Sequence, residues 1–261
     1  MEDCLLKTIF RHHFIGLWLP IFIISLWELS SRWKVNPFFP PPHVILLTAL
    51  EAMREGTIVS HIVSTLSLFS VGFVVGGSIG VVAGAILGSN QAIYRLLAPI
   101  AVFLRSTPTA AKLPAILAIL GIGAETLYFA VSLTVFLNVL IVTMIGVGRV
   151  ERTVLETGRL LPLGAVQRLF TIRVMAATGD VLMALQTALQ TGLLVTVLAE
   201  VLMSSRGLGA YLRESQETFQ INQMWLALFL LGFIGVCANE GFHLLERRIM
   251  PWYFKTREAG I

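Results

Sequence analysis

The sequence predicts an all-α, polytopic membrane helical bundle of about six transmembrane helices, and three observations carry that expectation. Of its 261 residues 56% are hydrophobic and 13% charged, where a soluble domain carries about 25% charged residues. The apolar residues fall in long blocks, and about 18 or more with few charges suffice to cross a hydrocarbon layer about 30 Å thick. Arg and Lys gather between and beyond the blocks, the distribution that fixes orientation in a membrane. Backbone amides find no water in that layer, so a spanning block is a helix or part of a closed barrel, and continuous apolar blocks suit helices.

The first block runs from Phe14 to about Leu29 behind Lys7 and Arg11. It ends in Trp27, Glu28 and Trp33 and not in a small-residue cleavage site, which predicts a retained helix with interfacial tryptophans. Asn36–Pro42, NPFFPPP, predicts an extended entry because consecutive prolines preclude helix. From Thr57 to Tyr94 the chain holds no Asp, Glu, Lys or Arg, and the longest span is expected there. Within it Gly72, Gly76, Gly80, Gly84 and Gly88 recur every four residues, a packing ladder that lets a neighbouring backbone approach closely. His61, at the start of this span, reads as an amphipathic interfacial residue and not as a proton relay.

The next block is weaker: Leu96–Leu104, then Arg105, Thr107, Pro108, Lys112 and Pro114, then an apolar run to Ile122. Charge-free stretches follow at Thr126–Gly148, Val181–Ala199 and Thr218–Asn239, each long enough to span. The segment between residues 149 and 173 carries Arg149, Arg152, Arg159, Arg168 and Arg173 against Glu151 and Glu156, and the tail carries Arg247, Arg248, Lys255 and Arg257. Both are expected to be cytoplasmic, as is the N-terminus. An even number of spans must then precede residue 149, which requires the weak block to cross. The arginine-rich segment itself reads as two short amphipathic helices, Glu151–Leu163 and Ala165–Ala177, around a turn marked by Pro162 and Gly164.

Several chemistries are excluded. Cys4 and Cys237 stand far apart in sequence, so neither a disulfide framework nor a metal site is expected. No basic run with interleaved aromatics stands outside the apolar blocks, which argues against nucleic acid as a partner. There is no H-E-x-x-H, no Gly-x-Ser-x-Gly and no pair of membrane aspartates, so no catalytic residue is assigned and the chain is not expected to be an enzyme. The phosphate loop G-x-x-x-x-G-K-[ST] is also absent, so no cofactor is expected on this chain, and energy must come from another chain or from an ion gradient.

The string VLETGRLLPLGAVQRLFTIRVM resembles the coupling loop of ATP-binding-cassette importer permeases, whose pattern is E-A-A, three residues, G, nine residues, I-x-L-P. Glu156, Thr157 and Gly158 take the E-A-A places and Ile172 the isoleucine. Pro162 stands where the pattern has glycine, with Gly164 two residues on, Val174 replaces leucine and Met175 the final proline. FLRSTPTAAKLPAILAILGIG resembles a second family segment at Leu104, Arg105, Pro108, Ala111, Pro114, Gly121, Ile122 and Gly123. AEVLMSSRGLGAYL resembles a third at Ala199, Glu200, Gly207, Leu208 and Gly209.

The resemblance covers most of the chain from residue 36 onward and points to the branch that imports nitrate, sulfonates and taurine. It implies one transmembrane permease domain over residues 1–261, with the core fold at about 55–250 and the coupling loop at about 149–178, in a bacterial inner membrane. It implies four kinds of partner: a cytoplasmic ATPase dimer that holds ATP and Mg, an extracytoplasmic binding protein, a second permease copy, and membrane lipid. The coupling residues are then Glu156, Thr157, Gly158, Arg159, Leu161, Pro162, Gly164 and Ile172. Gly164 is expected to take the turn at φ > 0 that proline cannot, with Pro162 starting the second helix. Arg105, Thr107, Pro108 and Glu200 are candidates for the pathway or its gate, Glu200 also as a structural partner of the turn at residues 206–209. An ion-gradient-driven secondary transporter is the alternative, and it would be expected to show internal repeats and ion-coupling groups at mid-membrane.

Overall fold

The computed structural model describes residues 2–33 and 36–249, and of residues 2–17, 102, 105, 106, 109, 110 and 249 the backbone alone. Among the described residues every regular element is helical, in agreement with the all-α expectation. Two compact units result: the described residues up to Val59 with Leu212–Phe229, and Ser60–Tyr211 with those from Leu230 onward.

The first unit contains α1 (Glu2–Trp33) and α2 (Pro42–Arg54). Its joint is aromatic: the ring of Trp27 lies 4.9 Å from Phe39 and 5.2 Å from Trp225, and Trp225 Nε1 donates to the carbonyl of Phe38 at 3.1 Å. The proline run is extended only as far as Pro41, at φ −68° and ψ 146°, and Pro42 is already helical. Sequence reading had placed Pro42 in the extended segment. At the first helical position, however, its missing N–H leaves nothing unpaired and its fixed φ suits the helix.

The remaining helices, in chain order, are α3 (Thr57–Ser89), α4 (Gln91–Ser106), α5 (Thr109–Leu120), α6 (Ala124–Gly148), α7 (Arg152–Arg159), α8 (Ala165–Arg168), α9 (Thr178–Met203), α10 (Leu208–Glu217) and α11 (Ile221–Ile249), with a π-helical segment, Leu169–Val174, after α8. Among the described residues four are long and apolar enough to cross a membrane: Thr57–Ser89, Ala124–Gly148, Thr178–Met203 and Ile221–Arg248. The charge-free run holds the longest helix, as expected, but the helix ends at Ser89, before the run does at Tyr94. Asn90 is extended, and its Oδ1 accepts from the amides of Ala92 at 2.9 Å and Ile93 at 3.3 Å, an N-cap that starts a new helix.

In the second unit α6 and α9 pack along the centre, and α6 buries Val131, Val135, Val139, Met144 and Val147. The five ladder glycines of α3 all face α6. A Cβ on Gly72 would fall 2.5 Å from Val131 Cγ1, on Gly80 2.9 Å from Val139 Cβ, on Gly84 2.8 Å from the carbonyl of Leu140 and on Gly88 2.5 Å from that of Met144; on Gly76 it would overlap the carbonyl of Ser132. Backbone meets backbone along this seam, which is how helices gain packing attraction in a solvent as apolar as their side chains.

The weak block is not one spanning helix. It is α4, of 16 residues, and α5, of 12, broken at Thr107 and Pro108; at 1.5 Å per residue these reach about 24 Å and 18 Å, each short of the hydrocarbon thickness. In series they follow the whole of α6: Tyr94, Leu97 and Ala101 of α4 pack with Ile141 and Met144, and Leu113 and Ile116 of α5 pack with Leu127, Ala130 and Val131. The break occurs where Pro108 restricts Thr107 to an extended backbone, at ψ 122°. Two side chains serve the carbonyls that the end of α4 leaves open: Lys112 Nζ donates to Leu104 at 3.1 Å and Thr107 Oγ1 to Phe103 at 3.3 Å.

Candidate functional site

The arginine-rich segment folds as α7, a short connector, α8 and the π-helical segment that leads into α9. The first expected amphipathic helix is thus shorter than Glu151–Leu163, and the second, Ala165–Ala177, is interrupted by the wider turn. A π segment is rare and frequently marks a functional position. This one carries Ile172 and Arg173.

Gly158 is buried in α7 because it lies against Ile172: a Cβ there would fall 3.2 Å from Ile172 Cγ2 and nearer still to Cδ1. Glycine at the third place of E-T-G thus lets α7 sit directly on the π segment. Behind the contact, Leu169 and Val174 pack with Ala85 of α3, Val147 of α6 and Ala177 at the start of α9. Arg173 Nη1 donates to the carbonyl of Ser89, the last residue of α3, at 2.6 Å, a cation on the negative end of a helix dipole. Burial, and then the charge of Arg159, hold the Arg173 pKa below the usual arginine value.

The outer side of this segment is free. Glu156 is exposed and pairs with neither Arg152 nor Arg159 among the described residues. Thr157 turns inward on its own helix, Oγ1 donating to the carbonyl of Thr153 at 2.8 Å. Arg159, Leu161 and Pro162 are exposed, with Leu160 85% and Val166 70% exposed beside them. Gly164 contradicts the expectation made of it. Its φ is −65°, an ordinary extended N-cap for α8, with open space where a Cβ would stand. Pro162 does not start the second helix either, which begins at Ala165. The connector bends at Leu160–Leu161, with the amide of Leu163 bonded to the carbonyl of Leu161 at 2.8 Å, and no residue in it has a positive φ that would need glycine.

Of the pathway candidates, Thr107 and Pro108 form the α4–α5 break, and the Arg105 side chain lies outside the described residues. Glu200 is elsewhere, 1% exposed near the end of α9. Its Oε2 accepts from Thr65 Oγ1 and from the amide of Gly209, both at 2.9 Å, and Thr65 Oγ1 accepts in turn from the amide of Leu208 at 2.8 Å. Gly207, at φ +105°, passes so close to the carboxylate that a side chain has no room. His61, which sequence reading left as an interfacial residue, closes the group: its Nδ1 lies 3.0 Å from the carbonyl and 3.2 Å from the amide of Gly207. The spacing His61-x-x-x-Thr65, one helical turn, is the only sequence signal that could have pointed to a shared face, and it was not read. Glu200 and the turn at residues 206–209 are brought together; Glu200 and residues 105–108 are not described in contact.

Helices long and apolar enough to span a membrane, three of them packed against one partly exposed helical loop, place this chain in the class of multi-pass membrane proteins. Residues 76–251 match the family described as binding-protein-dependent transport system inner membrane component, and the chain belongs to that family. Relatives include the putative aliphatic sulfonates transport permease of Bacillus subtilis, 26% identical over 91% of this chain and 87% of its own, and the taurine transport system permease of Escherichia coli, 23% identical over 90% and 88%. The nitrate import permease of Synechocystis is 27% identical over 73% of this chain and 70% of its own. Among solved structures, a chain of the MetNI methionine ABC transporter in an inward-facing conformation superimposes with a TM-score of 0.62 at 17% identity, over 74% of this chain and 95% of that one, and shares the fold.

Proposed function

We propose that this chain is the permease subunit of an ATP-binding-cassette importer that moves a small oxyanion, of the sulfonate, taurine or nitrate kind, across the inner membrane. The observation that carries the reading is the anchored loop. Gly158 seats α7 on Ile172, and the π segment behind it grips α3, α6 and α9 at once. A push on the exposed face of α7 therefore reaches three spanning helices through packed side chains, which transmit displacement because protein interiors compress little. The partner that pushes is a cytoplasmic ATPase dimer, which binds ATP and Mg. Its contact is Glu156, Arg159 and Leu161, charged and apolar groups left open on the loop.

A binding protein delivers the solute on the opposite face, and two copies of this chain enclose the path, both termini of each in the cytoplasm. The relatives' names support the solute class, and family membership supports the binding protein and the ATPase.

The test is ATP hydrolysis and solute uptake in proteoliposomes holding this chain with its ATPase and binding protein. Hydrolysis should require the chain, rise with loaded binding protein, and fall with Glu156→Lys. If hydrolysis is indifferent to the chain and uptake follows an ion gradient instead, the reading is wrong and a secondary transporter takes its place.

A further inference from the structure

Gln190 is an anomaly in the middle of α9. The 26-residue helix is long and apolar enough to span, yet Gln190 at its midpoint is exposed and makes no hydrogen bond among the described residues. Threonines nearby avoid that difficulty by bonding their own helix. Thr187 Oγ1 donates to the carbonyl of Met183 at 2.8 Å and Thr191 Oγ1 to that of Thr187 at 3.0 Å. Next to them Asn138, at mid-length in α6, donates from Nδ2 to Thr191 Oγ1 at 3.1 Å and to the carbonyl of Thr134 at 3.2 Å.

A carboxamide left bare in hydrocarbon loses its hydrogen bonds to water and gains nothing in return. Polar groups at that depth face a bundle interior or a wet cavity. Met183, Thr187, Gln190 and Leu194 recur at three and four residues and so share one face of α9; Met183 and Leu194 on it are each 56% exposed. The bare amide of Gln190 argues against this face being turned to lipid.

We propose that the α9 face through Met183, Thr187, Gln190 and Leu194, with Asn138 beside it, lines a water-filled translocation path, and that Gln190 hydrogen-bonds the passing solute there. The inference rests on the importer reading and adds to it a site and its chemistry. Residues 181–199 and 126–148 hold no Asp, Glu, Lys or Arg, so this stretch reads a solute by amide and hydroxyl groups alone. Those groups suit a small oxyanion with several acceptor oxygens. Without a fixed counter-charge the contact stays weak enough for release, which passage requires.

The experiment uses the whole transporter in proteoliposomes, with Cys4→Ser and Cys237→Ser as background and Gln190→Cys or, one turn away on the same face, Thr187→Cys added. A charged, membrane-impermeant methanethiosulfonate is applied during ATP turnover, and N-ethylmaleimide in parallel. Modification of either variant by the charged reagent, with loss of uptake, is the expected result. Gln190→Leu should cut uptake about tenfold, the worth of one good hydrogen bond, and Gln190→Asn less. Reaction with N-ethylmaleimide alone at both positions would overturn the inference. So would spontaneous disulfide formation between two copies of the Gln190→Cys variant, since the face would then be packed and dry. Uptake by the unmodified complex is read separately: if ATP drives none, the importer reading falls as well, whereas ATP-driven uptake without access to residues 187 and 190 removes this inference alone.

Discussion

Replacing Gly76 by Ala adds one methyl group at the tightest point of the α3–α6 seam. That Cβ would overlap the carbonyl of Ser132 and lie 3.0 Å from both the amide nitrogen of Phe136 and Val135 Cβ. Two of these neighbours are backbone and cannot rotate aside, so α3 must lift away, loosening the contacts of Gly72 and Gly80 on either side. Overpacking of this kind costs about 1–3 kcal/mol. Against it stands the gain of about 1 kcal/mol that alanine brings to any helix interior. Gly232→Ala isolates that gain, because a Cβ at Gly232 of α11 meets nothing within 4 Å. The two variants should therefore differ by about 2 kcal/mol, or roughly 4–8 °C in unfolding midpoint for a chain of this size. Thermal unfolding of the purified protein in detergent, followed by tryptophan fluorescence, measures it. Equal midpoints for the two variants would refute the claim that the seam is held by backbone contact.

Glu200→Ala should cost about 2–4 kcal/mol by leaving Thr65 Oγ1 and the amide of Gly209 without their acceptor, whereas Glu200→Gln keeps a carbonyl oxygen for Gly209 and should cost less than half of that; equal losses in the same unfolding assay would argue against the assignment. Gly158→Val should lower solute moved per ATP hydrolysed by driving α7 off Ile172, while Gly164→Ala, with negative φ and open space, should leave that ratio unchanged. Arg173→Ala should destabilise by about 1–2 kcal/mol through loss of the bond to Ser89. Burial, and then the charge of Arg159, lower the folded-state pKa of Arg173, so the folded form binds no more protons there than the unfolded one, and the wild type should not lose stability relative to the variant as pH rises in denaturation measurements.

Much of the bundle was legible because bilayer physics writes itself plainly: charge-free blocks gave α6 and α9 to within four residues and α11 except for its last ten, and a four-residue glycine period gave the face that meets α6. The coupling segment was legible only through resemblance, since E-T-G has no local meaning until Gly158 is seen against Ile172. Prolines were misread in two ways. Pro42 was taken to exclude helix although its position at a first turn favours one, and Pro108 was counted inside a crossing block although it ends α4 and opens α5. The role given to Gly164 failed because a conformational freedom was inferred from residue type, while the chain bends at Leu160–Leu161 without needing it. Nothing in the sequence around His61 names Gly207 as its partner; that pairing depends on how α3 and the end of α9 meet.

The group formed by His61, Thr65, Glu200 and Gly207–Gly209 also sets a clock on biosynthesis. Thr65 and Glu200 are 135 residues apart in the chain, and ribosomes add about 5–20 residues per second, so roughly 7–27 s pass between the appearance of one partner and the other. Throughout that interval α3 is already apolar enough to enter the membrane while the hydroxyl of Thr65 and the ring of His61 wait for their partners. Closure of this group is therefore the last step for α3, and substitutions at Glu200 or Gly207 should show first as slow maturation and degradation of a nearly complete chain.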